Sequence, residues 1–167
     1  LMRAMLRPTV YLGGGTPTML SLAQVERVLA ALAPLVPLEH AEVTAEANPG
    51  TMLGLDDTDA RTYLHGLRAL GVNRLSMGVQ SLHDPTLRLL GRTHTAAEAR
   101  QCFDQARGAG FDNISLDFIF GLPGQTLAQW EATLDAVATW GADHFSLYSL
   151  ILEERTPLYA QVLHGSI

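Results

Sequence analysis

Cysteine is nearly absent from this sequence of 167 residues, which contains Cys102 and no other cysteine. A single cysteine excludes a disulfide framework, and we therefore expect a cytoplasmic location. It also excludes a cysteine-rich metal site, and the six histidines are scattered without an H-E-x-x-H pattern. The sequence predicts no metal ligands within this chain, and Cys102 is expected to be a small core residue on the apolar face of a helix.

Basic residues and long apolar runs are also scarce. The chain has 11 Lys and Arg against 17 Asp and Glu, which gives a formal net charge of −6. Such a chain does not attract a polyanion, so nucleic acid is excluded as the main partner. No apolar run approaches the roughly 20 residues that a membrane helix requires. A composition with 47% apolar residues is typical of a globular protein, and we assign residues 1–167 to one domain.

Five short runs predict β-strands. They are nearly continuous in apolar or β-branched residues, which is typical of strands covered on both faces. The predicted strands are Thr9–Leu12, Glu42–Ala47, Arg74–Val79, Asn113–Phe120 and His144–Leu152.

Helical spacing of apolar residues fills the intervals between these strands. Capping boxes and an Asp-Pro pair, read as an N-cap and first helical residue, mark the helix starts, and glycines mark the ends. The start signals are Ser21 with Gln24, Asp84 with Pro85, Thr95 with Glu98 and Thr126 with Gln129, and the stop signals are Gly71, Gly108 with Gly110, and Gly141.

Strands that alternate with helices predict a parallel α/β fold with right-handed crossovers. Either a doubly wound sheet or an arc of a (β/α) barrel satisfies this pattern. A complete barrel needs about 250 residues, so five units cannot close one. In both architectures the functional residues lie at the carboxyl ends of the strands.

The first strand is followed by Gly13-Gly14-Gly15-Thr16-Pro17-Thr18. Three glycines allow the backbone to approach a ligand closely, and their N–H groups can form an anion-binding nest. A tight strand-to-helix turn is the structural alternative. The spacing matches neither the Walker A pattern nor the dinucleotide-binding fingerprint.

Polar side chains follow or interrupt the other strands. Glu46 and Asp117 lie within apolar strands, where a carboxylate must be paired or face a ligand. Gln80 ends the third strand, and Arg92, beyond a short helix, could bind a carboxylate with its planar fork. For each of these residues a purely structural role, or a solvated one for Arg92, is the alternative.

The last predicted strand carries Ser146 and Tyr148 on one face, where they could line a barrel interior. Ordinary β alternation is the alternative. Together, the rim could bind a polar, zwitterionic small molecule, which these residues alone do not name.

Six motifs in order resemble the oxygen-independent coproporphyrinogen III oxidase family within the radical S-adenosylmethionine (SAM) superfamily. They are YLGGGTPT (11–18), AEANPG (45–50), NRLSMGVQS (73–81), LRLLGRTH (87–94), SLDFIFGLPGQT (115–126) and HFSLYSLILEERTPLY (144–159). The last motif is more similar to the HemW-like haem-chaperone branch than to the decarboxylating oxidases.

This resemblance implies a partial (β/α) barrel that binds SAM beside a [4Fe–4S] cluster. It implies that Gly14, Gly15, Thr16 and Pro17 support the methionine moiety and that Glu46 contacts SAM. Gln80, Arg92 and Asp117 match polar positions that contact SAM in the oxidase, and Ile151 aligns with a backbone position near the adenine.

The resemblance also implies haem or a porphyrin as a ligand and a haem-acceptor protein as a partner. In the family, three cluster cysteines lie upstream of the GGGTPT motif. We expect this chain, which begins at Leu1, to be a central piece of a longer protein without that segment or the C-terminal domain. Two alternatives stay open: the oxidase itself, and a scaffold that is inactive alone.

Overall fold

A computed structural model describes residues 7–52 and 57–165. Five parallel strands form one sheet: β1 (Thr9–Leu12), β2 (Glu42–Ala47), β3 (Arg74–Gln80), β4 (Ile114–Phe120) and β5 (His144–Ser149). The helices are α1 (Leu22–Leu32), α2 (Pro49–Met52), α3 (Asp57–Ala69), α4 (Asp84–Leu89), α5 (Ala96–Gly108), α6 (Leu127–Ala138) and α7 (Pro157–Leu163). Short 3-10 helices cover Pro17–Met19 and Leu38–His40.

The strand order distinguishes between the two predicted architectures. Neighbouring strands are consecutive in the chain, from β1 to β5, and all pairs are parallel. A doubly wound sheet reverses its strand order at a switch point, and this sheet has no reversal. The fold is therefore an arc of a (β/α) barrel, and the sheet is not closed within the described residues.

The two faces of the sheet differ in chemistry, although mid-strand residues on both are buried: Ser76 and Ser115, on the face opposite the helices, are 5% and 0% exposed. In β3, Leu75, Met77 and Val79 alternate with polar or small residues, of which Ser76 and Gly78 line a cavity. Because successive side chains point to opposite faces, one face of each strand is apolar and the other carries the polar set. Helices such as α1 and α5 pack on the apolar face.

The hydrophobic core lies between that apolar face and the helices. Strand residues such as Met77, Leu116 and Phe118 form one cluster with Leu29 of α1 and Phe103 of α5. Full burial of a side chain of this size contributes roughly 1.5–3 kcal/mol. This layer of packing positions the strand ends and therefore the residues that they carry.

All three predicted capping boxes are confirmed, with both reciprocal hydrogen bonds present. The prediction for Asp84 was wrong: His83 is the N-cap of α4, and Asp84 is the first helical residue. The Asp84 carboxylate instead accepts a hydrogen bond from the N–H of Ala96, at 2.9 Å, and so joins α4 to the start of α5. Thr156 is a further N-cap that the sequence analysis missed.

The predicted stop signals are confirmed: Gly108 is the last residue of α5, and Gly71, Gly110 and Gly141 follow their helices with positive φ angles. Strand boundaries differ from the predictions by one residue in β3 and β4. The last strand ends at Ser149, three residues before the predicted Leu152. β4 ends at Phe120, whose carbonyl accepts the N–H of Leu150 at 2.9 Å, so the following residues have no neighbouring strand to pair with.

Candidate functional site

A cavity of about 410 Å³ lies at the carboxyl ends of the five strands. This volume falls within the range of small-molecule sites, roughly 300–1,000 Å³. Eight of the nine residues predicted for the site line it: Gly15, Thr16, Pro17, Glu46, Gln80, Arg92, Asp117 and Ile151. The structure thus brings together residues from five separate βα units.

Gly14, the ninth predicted residue, does not line the cavity but contacts Glu46, which does. Its N–H donates a hydrogen bond to Glu46 Oε2 at 3.1 Å, and Tyr11 Oη donates to Glu46 Oε1 at 3.0 Å. A Cβ on Gly13 would lie 2.7 Å from the Tyr11 ring and 3.1 Å from Glu46 Oε1. The glycine loop therefore lets the backbone approach the Glu46 carboxylate closely, and this contact orients Glu46.

Glu46 still has lone pairs available, because each of its oxygens accepts a single hydrogen bond in the structure. Burial raises the pKa of the Tyr11 phenol, and the neighbouring Glu46 carboxylate raises it further. Tyr11 therefore stays protonated and donates to Glu46, which leaves a negative charge facing the cavity.

Asp117 is held by hydroxyl groups rather than by a cation. Ser76 Oγ donates to Asp117 Oδ2 at 2.8 Å, and Ser115 Oγ donates to Asp117 Oδ1 at 3.4 Å. Burial raises the pKa of the Asp117 carboxyl, while the hydrogen bonds from Ser76, Ser146 and Ser115 and the charge of Arg74 lower it. Burial prevails, so the carboxyl group lacks full compensation for the water it has lost.

Arg92 has the converse situation. It lines the cavity, and burial lowers the pKa of its guanidinium. The ion pairs among the described residues are Arg100–Asp104 and Arg107–Asp143, so none includes Arg92. A partly buried guanidinium without a carboxylate partner is suited to bind the anionic group of a ligand.

Gln80 reaches the cavity from an unusual backbone conformation. Its φ angle is 68°, in the left-handed region that only glycine adopts readily, and the register with β4 is irregular between Gly78 and Gln80. Such strain persists only where the surrounding structure enforces it, and it concentrates at functional sites.

The fifth unit closes the cavity on its far side. Tyr148 and Ile151 line it, although both side chains are largely exposed, at 57% and 73%. Tyr148 confirms the prediction that one face of the last strand lines the barrel interior. Ser146 lies below it and shares a hydrogen bond of 3.3 Å with Ser115.

Sequence reasoning missed several lining residues, among them Tyr11, Asn48 and Ser76. Ser76 pairs in register with Glu46, and Tyr11 pairs with Thr44, which lies two residues before Glu46. The signal that could have found Tyr11 and Ser76 is period-two alternation, since residues two apart share a face.

The described residues hold no group of three or more His, Cys, Asp or Glu arranged to bind a metal ion. Cys102 is fully buried, and burial raises the pKa of its thiol to about 12. It is therefore a core residue and not a thiolate ligand. Within the same described part, no helix is both long and apolar enough to cross a membrane.

Comparison with known proteins identifies the family. The sequence profile of the Radical SAM superfamily matches residues 2–137. The chain belongs to the radical SAM superfamily.

Among curated relatives, the heme chaperone HemW of Bacillus subtilis is 41% identical over 161 residues, which are 95% of this chain and 41% of HemW. The mitochondrial radical S-adenosyl methionine domain-containing protein 1 of Mus musculus is 42% identical over 160 residues, which are 95% of this chain and 35% of that protein. The chain thus spans about two fifths of the length of the curated relatives it matches.

Among solved structures, the coproporphyrinogen III oxidase HemN of Escherichia coli, a radical SAM enzyme, aligns with a TM-score of 0.71 and 29% identity. The alignment covers 95% of this chain and 39% of HemN. The resemblance stated from the sequence motifs is therefore confirmed at the level of the superfamily and of the barrel fold.

Proposed function

We propose that the cavity binds SAM. The observation that carries this proposal is a cation, Arg92, that forms no ion pair with any described residue and lines the same cavity as two carboxylates, Glu46 and Asp117. SAM presents a carboxylate, an ammonium and a sulfonium, so it carries one negative and two positive charges at neutral pH. The three charged groups that line the cavity are complementary in sign and number.

In this proposal different lining residues bind different parts of SAM. Arg92 binds the carboxylate of SAM with its fork, since a planar guanidinium matches a carboxylate bidentately. Glu46 accepts from the ammonium, and its orientation depends on Tyr11 and on the Gly14 N–H. Gly15, Thr16 and Pro17 support the methionine moiety from the loop after β1. These groups bind and orient, while SAM supplies the sulfonium-activated adenosyl group.

The remaining lining groups are assigned to the adenosyl half. Gln80 offers both a donor and an acceptor, and Asp117 accepts from hydroxyl groups such as those of ribose. Ile151 lies past the end of β5, where its backbone can face the adenine. An apolar, partly exposed wall of this kind suits a flat ring.

A [4Fe–4S] cluster does not fit the described residues, because three thiolates are required and Cys102 is buried with a raised pKa. We propose that the cluster ligands and the cleavage of SAM belong to a longer protein. In this proposal residues 1–167 contribute the SAM-binding arc of a radical SAM core domain.

For the whole protein we propose a HemW-like haem chaperone, which would bind haem and transfer it to an acceptor protein in the cytoplasm. The support is the 41% identity to the heme chaperone HemW across 95% of this chain. A second candidate, oxidative decarboxylation of coproporphyrinogen III, is favoured by the structural likeness to HemN, at a TM-score of 0.71.

Calorimetric titration of the full-length protein with SAM and with S-adenosylhomocysteine tests the cavity. S-adenosylhomocysteine lacks the sulfonium charge, so we expect weaker binding by about tenfold, as for one charged interaction of roughly 1.4 kcal/mol. Equal affinity for the two compounds would contradict the proposed charge complementarity between the cavity and the sulfonium of SAM.

Haem titration followed by absorbance tests the chaperone proposal, with one haem bound per protein as the expected result. An anaerobic assay of reduced protein with SAM and coproporphyrinogen III tests the alternative. Formation of protoporphyrinogen without stoichiometric haem binding would favour the oxidase. Absence of stoichiometric haem binding would contradict the chaperone proposal, whether or not protoporphyrinogen forms.

A further inference from the structure

The carboxyl end of β3 is a three-residue turn centred on Gln80. The N–H of Ser81 donates to the carbonyl of Val79 at 2.9 Å, which closes the turn around Gln80 at a φ of 68°. A turn of this sign is rare and strained for a residue with a side chain. Something outside the turn must therefore hold the Val79–Gln80 peptide in place.

His94 provides that hold from behind the strand. Its ring is 3% exposed, and Nε2 lies 3.3 Å from the Val79 carbonyl oxygen. A carbonyl only accepts hydrogen bonds, so Nε2 must carry the proton. The other ring nitrogen, Nδ1, is buried and has no hydrogen-bond partner among residues 7–52 and 57–165. Among the described residues, the hydrogen bond from Nε2 to the Val79 carbonyl is thus the polar contact that the buried His94 ring makes.

Gly78 leaves room for the turn on the cavity side. A Cβ at Gly78 would lie 2.7 Å from Gln80 Nε2, so the Gln80 carboxamide folds back over this glycine. The carbonyl of Val79 and the N–H of Gln80 belong to one rigid peptide plane. Holding that carbonyl from behind therefore fixes the direction in which Gln80 leaves the backbone.

The same histidine also connects two lining residues that come from different segments. Arg92 precedes it by two positions, and the N–H of Arg92 donates to the Leu87 carbonyl at 2.8 Å. We propose that His94 is a positioning residue: through the Val79 carbonyl, it sets Gln80 and Arg92 at a fixed separation on the cavity. His94 does not line the cavity itself. The consequence for SAM rests on the proposed function, whereas the contact does not.

Selective isotope labelling of the full-length protein tests the contact without any ligand. The pair Val-Gln occurs once in this chain, at Val79–Gln80. Labelling valine with ¹³C at the carbonyl and glutamine with ¹⁵N gives a correlation for this peptide, which the Q80N variant identifies by its loss. We expect His94→Leu to move the Val79 carbonyl signal, because a hydrogen bond is lost. His94→Gln, which keeps a donor, should restore most of that shift.

Calorimetric SAM affinity then tests the consequence. We expect His94→Leu to weaken binding by about three- to tenfold, the factor that one ordinary hydrogen bond sets. In a Q80A background the same change should have a clearly smaller effect, since the residue through which it acts is gone. His94→Gln should bind SAM nearly as the parent does. Should His94→Leu fail to fold, Gly78→Ala displaces the Gln80 carboxamide from the opposite side and should show the same dependence on Gln80.

An unchanged Val79 carbonyl signal in His94→Leu would overturn the proposal. Equal losses of affinity with and without Gln80 would also overturn it, because they indicate general destabilisation. The parent protein could bind no SAM while the carbonyl signal moved as expected. That result would contradict the function proposed for the cavity but would support the positioning of the Gln80 turn by His94.

Discussion

The two faces of the sheet differ in how completely their side chains are satisfied. On the helix-packed face, Met77 and Phe118 are fully buried in one apolar cluster. On the cavity face, Arg92 has no ion-pair partner among the described residues, burial raises the pKa of Asp117, and Gln80 has a left-handed φ of 68°. The first face stabilises the fold. The second carries charged and strained groups that reduce stability and that a ligand would satisfy. Substitutions on the two faces should therefore have opposite signatures.

The largest effect on stability is expected on the packed face. Phe118→Ala removes a fully buried ring from the central part of the sheet. We expect a loss of about 3–5 kcal/mol in the free energy of unfolding, measured by urea denaturation. Ile119→Ala, its neighbour on the cavity face, is the matched control and should lose clearly less. Equal losses would contradict the division between the faces.

Arg92 should show the reverse signature. Arg92→Gln is expected to weaken SAM binding by about ten- to a hundredfold, the range for a charged hydrogen-bonded contact, with little change in unfolding. Arg88→Gln alters an exposed arginine on α4 and should leave the affinity unchanged. Titration calorimetry and urea denaturation on both variants make the comparison. A similar loss of SAM affinity in both variants would indicate a general effect of positive charge rather than a specific contact between the Arg92 guanidinium and the SAM carboxylate.

Asp117→Asn is expected to separate stability from binding. The folded-state pKa of Asp117 is raised, so its ionisation destabilises the folded state as pH rises through that pKa. The variant should therefore be more stable than the parent at neutral pH, with an advantage that shrinks as pH falls through the raised pKa. SAM affinity should fall by about tenfold. A variant less stable than the parent at neutral pH would contradict this reasoning.

A smaller effect is expected from the buried imidazole. Burial lowers the pKa of His94 and Arg92 lowers it further, although Val79, Glu98 and Asp84 raise it. An unfolded histidine takes up its proton near pH 6.5, before the folded one does. Stability should therefore decline as pH falls below about 6.5. Urea denaturation of His94→Gln beside the parent, from about pH 8 to about pH 5, should show less decline in the variant. Parallel curves would count against a neutral buried ring.

The smallest effect concerns Cys102. Full burial and a pKa raised to about 12 predict no alkylation by iodoacetamide under native conditions. Mass spectrometry of the peptide that contains this residue should show modification only after denaturation. Rapid native labelling would place the thiol outside the core.

The sequence predicted most of the architecture because its local signals were independent of context. Capping boxes and glycine stops act within a few residues, and β1 and β2 were predicted with the bounds observed. Asp84 was assigned wrongly because its carboxylate bonds to Ala96, a contact across twelve positions that no local pattern shows.

The site was less predictable than the fold. Its charged members stood out as carboxylates in apolar strands, but Tyr11 and Ser76 did not, because the strands were read as apolar on both faces. The positive φ of Gln80 depends on tertiary contacts of Val79, which the sequence does not display. The shortened β5 reflects where β4 ends rather than any residue of its own.

A crystal structure of the full-length protein with SAM would test the central claim most directly. We predict the carboxylate of SAM against the Arg92 guanidinium, its ammonium at Glu46, and its adenosyl group between Gln80, Asp117 and the backbone of Ile151. SAM bound elsewhere, or bound here with Arg92 still unpaired, would contradict the proposal that separate βα units converge on one ligand.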